Sequence, residues 1–375
     1  MSNKFMPTQT QLCTLINRKF CHFSGRGAAA LFGTLQVLKK RTGKRNHVLM
    51  PSILCASPAN VTLYAELVPV FADIDLKNFN LSFESVVKTI ESDPQISIVI
   101  VPHVYGLAAP IVEIINYCKP KNIFVIEDAA QGLGGSIAGQ PMGSFGDVSI
   151  LSFGHTKLLD TGWNGAALTN DPDLSAELAE VLSGFPECPT NIDAMYGSYR
   201  KKYYDLWNKS RSISSNDKLF FSLPNDLRAM HIFCAQSKYI ELVANNLQNI
   251  SSEKKQRLLR ARKYEKQLRE QSELSFALIK DSDVPWRFSF LAPQRSEHLI
   301  AALRTAKIDA SSWYPPLHLW YEYGATQDRK NLANAEYLGK NIVNLWVDGK
   351  ATPAYIDQAC SIIKNQLAKN SDKTN

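Results

Sequence analysis

The chain has 375 residues, is 45% hydrophobic and carries a formal net charge of +7, which describes a soluble globular protein with room for two domains. Its cysteines (Cys13, Cys21, Cys55, Cys118, Cys188, Cys234 and Cys360) are odd in number, scattered and free of any CxxC pair. This argues against a secreted disulfide framework or a structural zinc site and for reduced thiols in the cytoplasm. Met1 to Phe23 lacks the apolar stretch of a signal peptide, and the most apolar run, Ile96–Val101, is far too short to span a bilayer.

From about Gly25 to Asp171, short β-rich runs alternate with helical stretches. A glycine-rich turn opens a predicted helix over Gly27–Lys40, followed by a strand at His47–Pro51, a helix at Ala56–Tyr64 and a strand at Leu67–Ala72. Next come a helix at Ser82–Ser92, a strand at Ile96–Pro102, a helix at Ile111–Cys118 and a strand at Ile123–Glu127. Val148–Phe153 and Ala166–Asn170 read as two further strands. Short, continuously apolar strands separated by helices predict a mostly parallel sheet covered on both faces.

Beyond Asn170 the pattern turns to helix and loop until about residue 270, with a charged helix near Ser251–Gln271. Within it, the basic, tyrosine-containing Tyr199–Tyr204 reads as a solvated helix face or loop in preference to a nucleic-acid surface. A smaller unit begins near Phe276, with a strand at Trp286–Ala292, a helix at Ser296–Ala306 and a last helix at Pro353–Ala368. The expected organisation is a large α/β domain with a short N-terminal arm over residues 1–225, a helical bridge over 226–275 and a small C-terminal α/β domain over 276–375.

In open α/β sheets ligands bind at the carboxyl ends of the strands. Asp128 follows one such strand, in Ile-Glu-Asp-Ala-Ala-Gln, and Lys157 follows another, in Ser-Phe-Gly-His-Thr-Lys. Ser24-Gly25-Arg26-Gly27 opens the first helix. Pyridoxal phosphate chemistry needs these three parts: an amine to hold the cofactor and move a proton, a carboxylate to keep the ring nitrogen charged, and a helix N-terminus to grip the phosphate. Each feature alone has an ordinary explanation, as a surface lysine, a helix-capping aspartate and a tight turn. Their order and placement together are far more specific.

These segments resemble the DegT-type (DegT/DnrJ/StrS) sugar aminotransferases, a branch of the fold-type-I pyridoxal phosphate enzymes. The likeness rests on Val-Pro-Val-Phe-Ala-Asp-Ile-Asp at 68–75, Pro-His-Val-Tyr-Gly at 102–106, Ile-Glu-Asp-Ala-Ala-Gln at 126–131 and Gly-Asp-Val-Ser-Ile-Leu-Ser-Phe-Gly-His-Thr-Lys at 146–157. Leu-Arg-Ala-Met at 227–230 and Trp-Tyr-Pro-Pro-Leu-His at 313–318 add to it. The resemblance implies a three-layer, aspartate aminotransferase-like α/β fold and transfer of an amino group from L-glutamate to a nucleotide-linked keto-sugar. It implies Lys157 as the Schiff-base lysine, Asp128 at the pyridine nitrogen, Gln131 near the phenolic oxygen and Ser152 on the phosphate. Gly27 and Ala28 would form the phosphate turn, Tyr314 and His318 would approach the sugar nucleotide, and a homodimer would share its active sites.

The sequence also departs from that pattern. Ala28 stands where a hydroxyl is usual, Cys55 where a flat side chain covers the ring, and Asp226 where an asparagine reaches the neighbouring subunit's phosphate, a role open to Asn225. Gly-Glu-Gly-Gly appears as Gly162-Trp163-Asn164-Gly165. Arg26 would restore positive charge near the phosphate. Two alternatives accompany these departures: a sugar dehydratase on the same fold, in which histidine replaces the lysine, and a catalytically degenerate regulator. Lys157 favours the transferase.

Overall fold

A computed structural model of the chain describes residues 6–211, 227–321 and 332–371. Seven strands form the main sheet: β1 (Phe20–Ser24), β2 (His47–Pro51), β3 (Val68–Ala72), β4 (Ile96–Pro102), β5 (Phe124–Asp128), β6 (Val148–Ser152) and β7 (Gly165–Thr169). Their order is β1-β7-β6-β5-β4-β2-β3; β6, β5, β4, β2 and β3 run parallel, while β7 is antiparallel to both β6 and β1. Every residue of β4 is buried, as expected of a strand covered on both faces.

The helices of this region are α1 (Met6–Ile16), α2 (Gly27–Arg41), α3 (Ser57–Tyr64), α4 (Phe83–Ser92), α5 (Ile111–Cys118), α6 (Pro172–Ser183) and α7 (Ile192–Arg211). Ser82 caps α4 by accepting from Ser85 N, and Asp171 caps α6 by accepting from Asp173 N and Leu174 N. The predicted strands and helices from Gly27 to Asn170 are present, with ends that coincide or shift by one residue. In α1, Leu12 and Ile16 lie one turn apart and are buried, and the helix packs on β1.

Four helices follow in sequence: α8 (Arg228–His231), α9 (Ser237–Asn246), α10 (Ile250–Leu268) and α11 (Ser296–Thr305). The smaller sheet is antiparallel, in the order β8 (Ser275–Phe276), β9 (Phe288–Leu291), β11 (Ile342–Leu345), β10 (Ala310–Ser311). Helices α12 (Ala333–Asn341) and α13 (Pro353–Ser371) complete the chain. The boundary expected at 225 falls outside the described residues. The two sheets share one apolar cluster that joins Ile100 and Ile126 of the large sheet to Phe288, Phe290 and Leu345 of the small one. Backbone bonds reinforce the contact, with Trp286 N donating to Tyr105 O at 2.8 Å and Val284 N to Gly106 O at 3.0 Å. Among the described residues no helix is long and apolar enough to cross a membrane.

Candidate active site

Strand direction decides where the chemistry gathers. The register pairs both Ser24 and Ser152 with Gly165, so the ends of β1 and β6 and the start of β7 lie side by side. Beside them β5 ends at Asp128 and β4 at Pro102, paired in parallel register. A cavity of about 590 Å³ opens there, lined among others by Gly27, Cys55, Asp128, Ser152 and Lys157.

The floor at one end is the first turn of α2. Its N-cap, Arg26, is extended and its side chain caps none of the leading N–H groups of the helix. Uncapped amides with the positive end of the helix dipole form an anion site. Close approach requires glycine here. A Cβ on Gly27 would lie 2.9 Å from Ser152 Cβ, and one on Gly165 would lie 2.3 Å from Gly27 N.

Lys157 and Asp128 face each other electrostatically. Burial lowers the lysine's pKa, and the charges of Arg287 and Arg26 push the same way, while Cys55 and Asp128 oppose. Burial raises the pKa of Asp128, opposed by Lys157 and by the hydrogen bond from Ala130 N at 3.0 Å. The neighbouring Glu127 is fully buried and anchors this strand end. It accepts from His103 Nε2 at 3.0 Å, Phe145 N at 2.7 Å and Gly146 N at 3.2 Å, with Arg18 3.8 Å away.

Gly27, Ala28, Cys55, Asp128, Ser152, Lys157 and Tyr314 all line the one cavity. Gln131 does not line it. Its Oε1 accepts from Tyr105 N at 2.7 Å and its Nε2 donates to Tyr314 OH at 2.6 Å, so the amide reaches the cavity through that tyrosine. His318 does not line it either. The residue is 4% exposed, with Nδ1 2.6 Å from Ser52 Oγ and Nε2 3.3 Å from Glu336. Asn225 and Asp226 lie outside the described residues.

The sequence pattern missed most of the aromatic lining. Tyr196, Tyr199 and Tyr203 project from α7 into the cavity at helical spacing, with Tyr199 and Tyr203 buried while Arg200, Lys201 and Lys202 are exposed. The stretch thus has a solvated face, as expected, and a second face that covers the site. Trp163, the odd residue of Gly162-Trp163-Asn164-Gly165, serves as a platform. The Arg26 guanidinium sits 5.3 Å from its ring and 5.5 Å from that of Tyr196. Asn164, at φ 72, hooks the backbone of Gln236 by accepting from its N at 3.1 Å and donating to its O at 3.0 Å. Trp286, Arg287, Trp313 and Trp346 complete the wall from the small sheet and its flanks.

The chain is similar to known proteins. The chain is 34% identical over 170 residues to the dTDP-4-dehydro-2,3,6-trideoxy-D-glucose 4-aminotransferase of Saccharopolyspora spinosa, covering 44% of this chain and 43% of that protein. It is 33% identical over 206 residues to the GDP-perosamine synthase of Caulobacter vibrioides, covering 51% and 55% of the two chains. The aligned part therefore spans about half the length of these curated relatives. Among solved structures, Helicobacter pylori PseC, an aminotransferase involved in the biosynthesis of pseudoaminic acid, superposes with a TM-score of 0.80 over 98% of this chain and 92% of its own, at 16% identity, a likeness of fold. The family model of the DegT/DnrJ/EryC1/StrS aminotransferases matches residues 6–202 and 235–364, and the chain belongs to that family.

Proposed function

We propose that the protein is a pyridoxal phosphate-dependent aminotransferase that moves the amino group of L-glutamate onto a nucleotide-linked keto-deoxy sugar, in making amino sugars for a surface polysaccharide or a secondary metabolite. What carries this is the convergence of Lys157, Asp128 and the uncapped N-terminus of α2 on one cavity. The bound cofactor supplies an electron sink for negative charge at the substrate carbon. The residues fit it. The first amides of α2 and the Ser152 hydroxyl suit its phosphate, and a buried carboxylate such as Asp128, whose pKa burial has raised, gains from a protonated ring nitrogen as partner.

Lys157 Nζ, driven toward its neutral form by burial, would hold the cofactor covalently and, once released by the incoming amine, would serve as the base for the proton on the donor's α-carbon. The aromatic face of α7 and the tryptophans of the small sheet keep water from that proton. The names of the two curated relatives, one a dTDP-sugar aminotransferase and the other a GDP-perosamine synthase, support a nucleotide sugar as acceptor. A cytoplasmic homodimer with shared sites belongs to the same proposal.

The purified protein is expected to be yellow and to make an amino sugar and 2-oxoglutarate when incubated with L-glutamate and the right member of a panel of nucleotide keto-sugars, as read by mass spectrometry. Lys157→Ala is expected to lose the colour and at least about a hundredfold in transfer. A deoxygenated product without new nitrogen would identify a dehydratase, and a colourless protein that cannot be reconstituted would remove the cofactor chemistry altogether.

A further inference from the structure

Arg287 is the least explained charge in the molecule. It is 5% exposed and lines the cavity, yet among the described residues no carboxylate lies within ion-pair distance of it. Its recorded hydrogen bond runs from Nη1 to the carbonyl of Trp286 at 2.8 Å. The guanidinium carbon lies 4.0 Å from the centre of the Trp286 ring and 3.4 Å from that of Trp346. The sheet explains the arrangement. Phe288 of β9 pairs with Leu345 of β11, so Arg287 and Trp346, one step beyond that pair, are neighbours across the strands.

Stacking covers both faces of the guanidinium and strips them of water, leaving its edge for directed contacts. Burial is the main cause that pushes its pKa down, to about 9, while the more distant charges of Asp309 and Asp348 oppose this and that of Arg257 adds to it. The group therefore remains a cation at neutral pH, without a bridged counter-charge. Buried charges are retained at such cost where something pairs with them. Asp309 does not fill that place, since its carboxylate accepts from Trp346 Nε1 at 2.6 Å.

We infer that Arg287 is a carboxylate-binding residue of the cavity, taking the two oxygens of a substrate carboxylate in the plane held open between the Trp286 and Trp346 rings. A planar, forked donor confined to its own plane matches a planar acceptor. The cavity holds a second cation, Arg26, beside the α2 turn that suits a phosphate, and both charges are felt at Lys157. The carboxylate has two possible sources, the amino donor or an acidic acceptor sugar. Only this choice of source rests on the proposed amino transfer.

The test is calorimetric titration of the cofactor-loaded protein with 2-oxoglutarate, with UDP-glucuronate and with inorganic phosphate, for the wild type, Arg287→Met and Arg287→Lys. Bound cofactor and melting temperature are checked in each. Arg287→Met is expected to weaken one carboxylate at least tenfold and leave phosphate within twofold, with Arg287→Lys between, because a point charge lacks the fork. A loss confined to 2-oxoglutarate assigns the donor and is accompanied by a raised KM for L-glutamate; a loss confined to UDP-glucuronate assigns the acceptor. Equal binding of both carboxylates by wild type and Arg287→Met, binding of neither by the wild type, or a loss for phosphate alone would overturn the assignment. A protein that binds 2-oxoglutarate through Arg287 yet transfers no amino group would refute the proposed function and leave this residue's role standing.

Discussion

Two arginines on the cavity wall each sit against a pair of aromatic rings. Arg26 sits against the edge-to-face pair Trp163 and Tyr196, and Arg287 between Trp286 and Trp346. Aromatic contact holds each cation, and among the described residues neither has a carboxylate within ion-pair distance, so each keeps its charge for a ligand. Arg26 adjoins the α2 turn, where Ala28 brings no hydroxyl and where burial lowers the arginine's own pKa. A cation there offsets the missing hydrogen bond, and Arg26→Ala is expected to weaken pyridoxal phosphate about tenfold or more, the scale of one charge-assisted bond. Arg26→Lys should recover part of the affinity. Titration of the apo-protein with the cofactor, followed by absorbance, measures both, and an alanine variant with wild-type affinity would exclude the role. At this scale the sequence was most legible for the placement of Lys157 and Asp128 on the cavity wall, because Asp128 ends β5, Lys157 follows the end of β6, and the strand end fixes the side of the sheet. Arg287 and Trp346 were not legible, since their contact depends on a register between strands far apart in the chain. His318 shows the same limit, since its contacts with Ser52 and Glu336 join segments far apart in the chain.

At the scale of elements, the β1–α2 turn and the start of β7 form a single contact. Gly165 allows it, because a Cβ there would meet Gly27 N at 2.3 Å and Arg26 C at 2.5 Å, both backbone atoms that cannot rotate away. Gly165→Ala must displace the first turn of α2 and with it the amides proposed to hold the phosphate. The expected cost is about 1–3 kcal/mol in urea unfolding, the scale of overpacking, together with weaker cofactor binding. Gly349→Ala, with nothing within 4 Å, is the control and should change neither. The long, continuously apolar strands were readable with small errors at their ends. Three features were not. Antiparallel β7 has the same apolar texture as its parallel neighbours, the two-residue strands β8 and β10 are too short to show a period, and α1 buries its apolar residues along a narrow stripe inside a polar sequence. The α7 stripe had the right spacing, but its basic residues drew the eye to the exposed face.

Across the whole molecule, the covering helix α7 rests on a buried histidine. His231 is fully buried, with its ring 5.6 Å from that of Tyr199 on α7 and 5.9 Å from that of Tyr64 on α3. Its Nδ1 lies 2.9 Å from Leu227 O, and Nε2 has no partner among the described residues. Burial, aided by the charge of Arg26, pushes its pKa down to about 3. The folded protein thus holds this ring neutral, while the unfolded chain protonates it below the ordinary value near 6.5. Between these two values the unfolded state binds more protons, so stability is full above about pH 6.5 and is lost as pH falls, by up to about 1.4 kcal/mol per unit from this group. The half-buried His22, also lowered by burial, contributes in the same direction. A difference between proteins is therefore needed to isolate His231. In urea unfolding of the apo-protein from pH 7.5 to 5, His231→Phe is expected to show a flatter decline than the wild type, whatever its stability at neutral pH. Equal slopes would show that the ring is protonated in the folded state without cost. Because Tyr199 belongs to the aromatic face over the cavity, the same protonation would loosen that cover before the sheet unfolds, and cofactor release on acidification should begin earlier in the wild type than in His231→Phe.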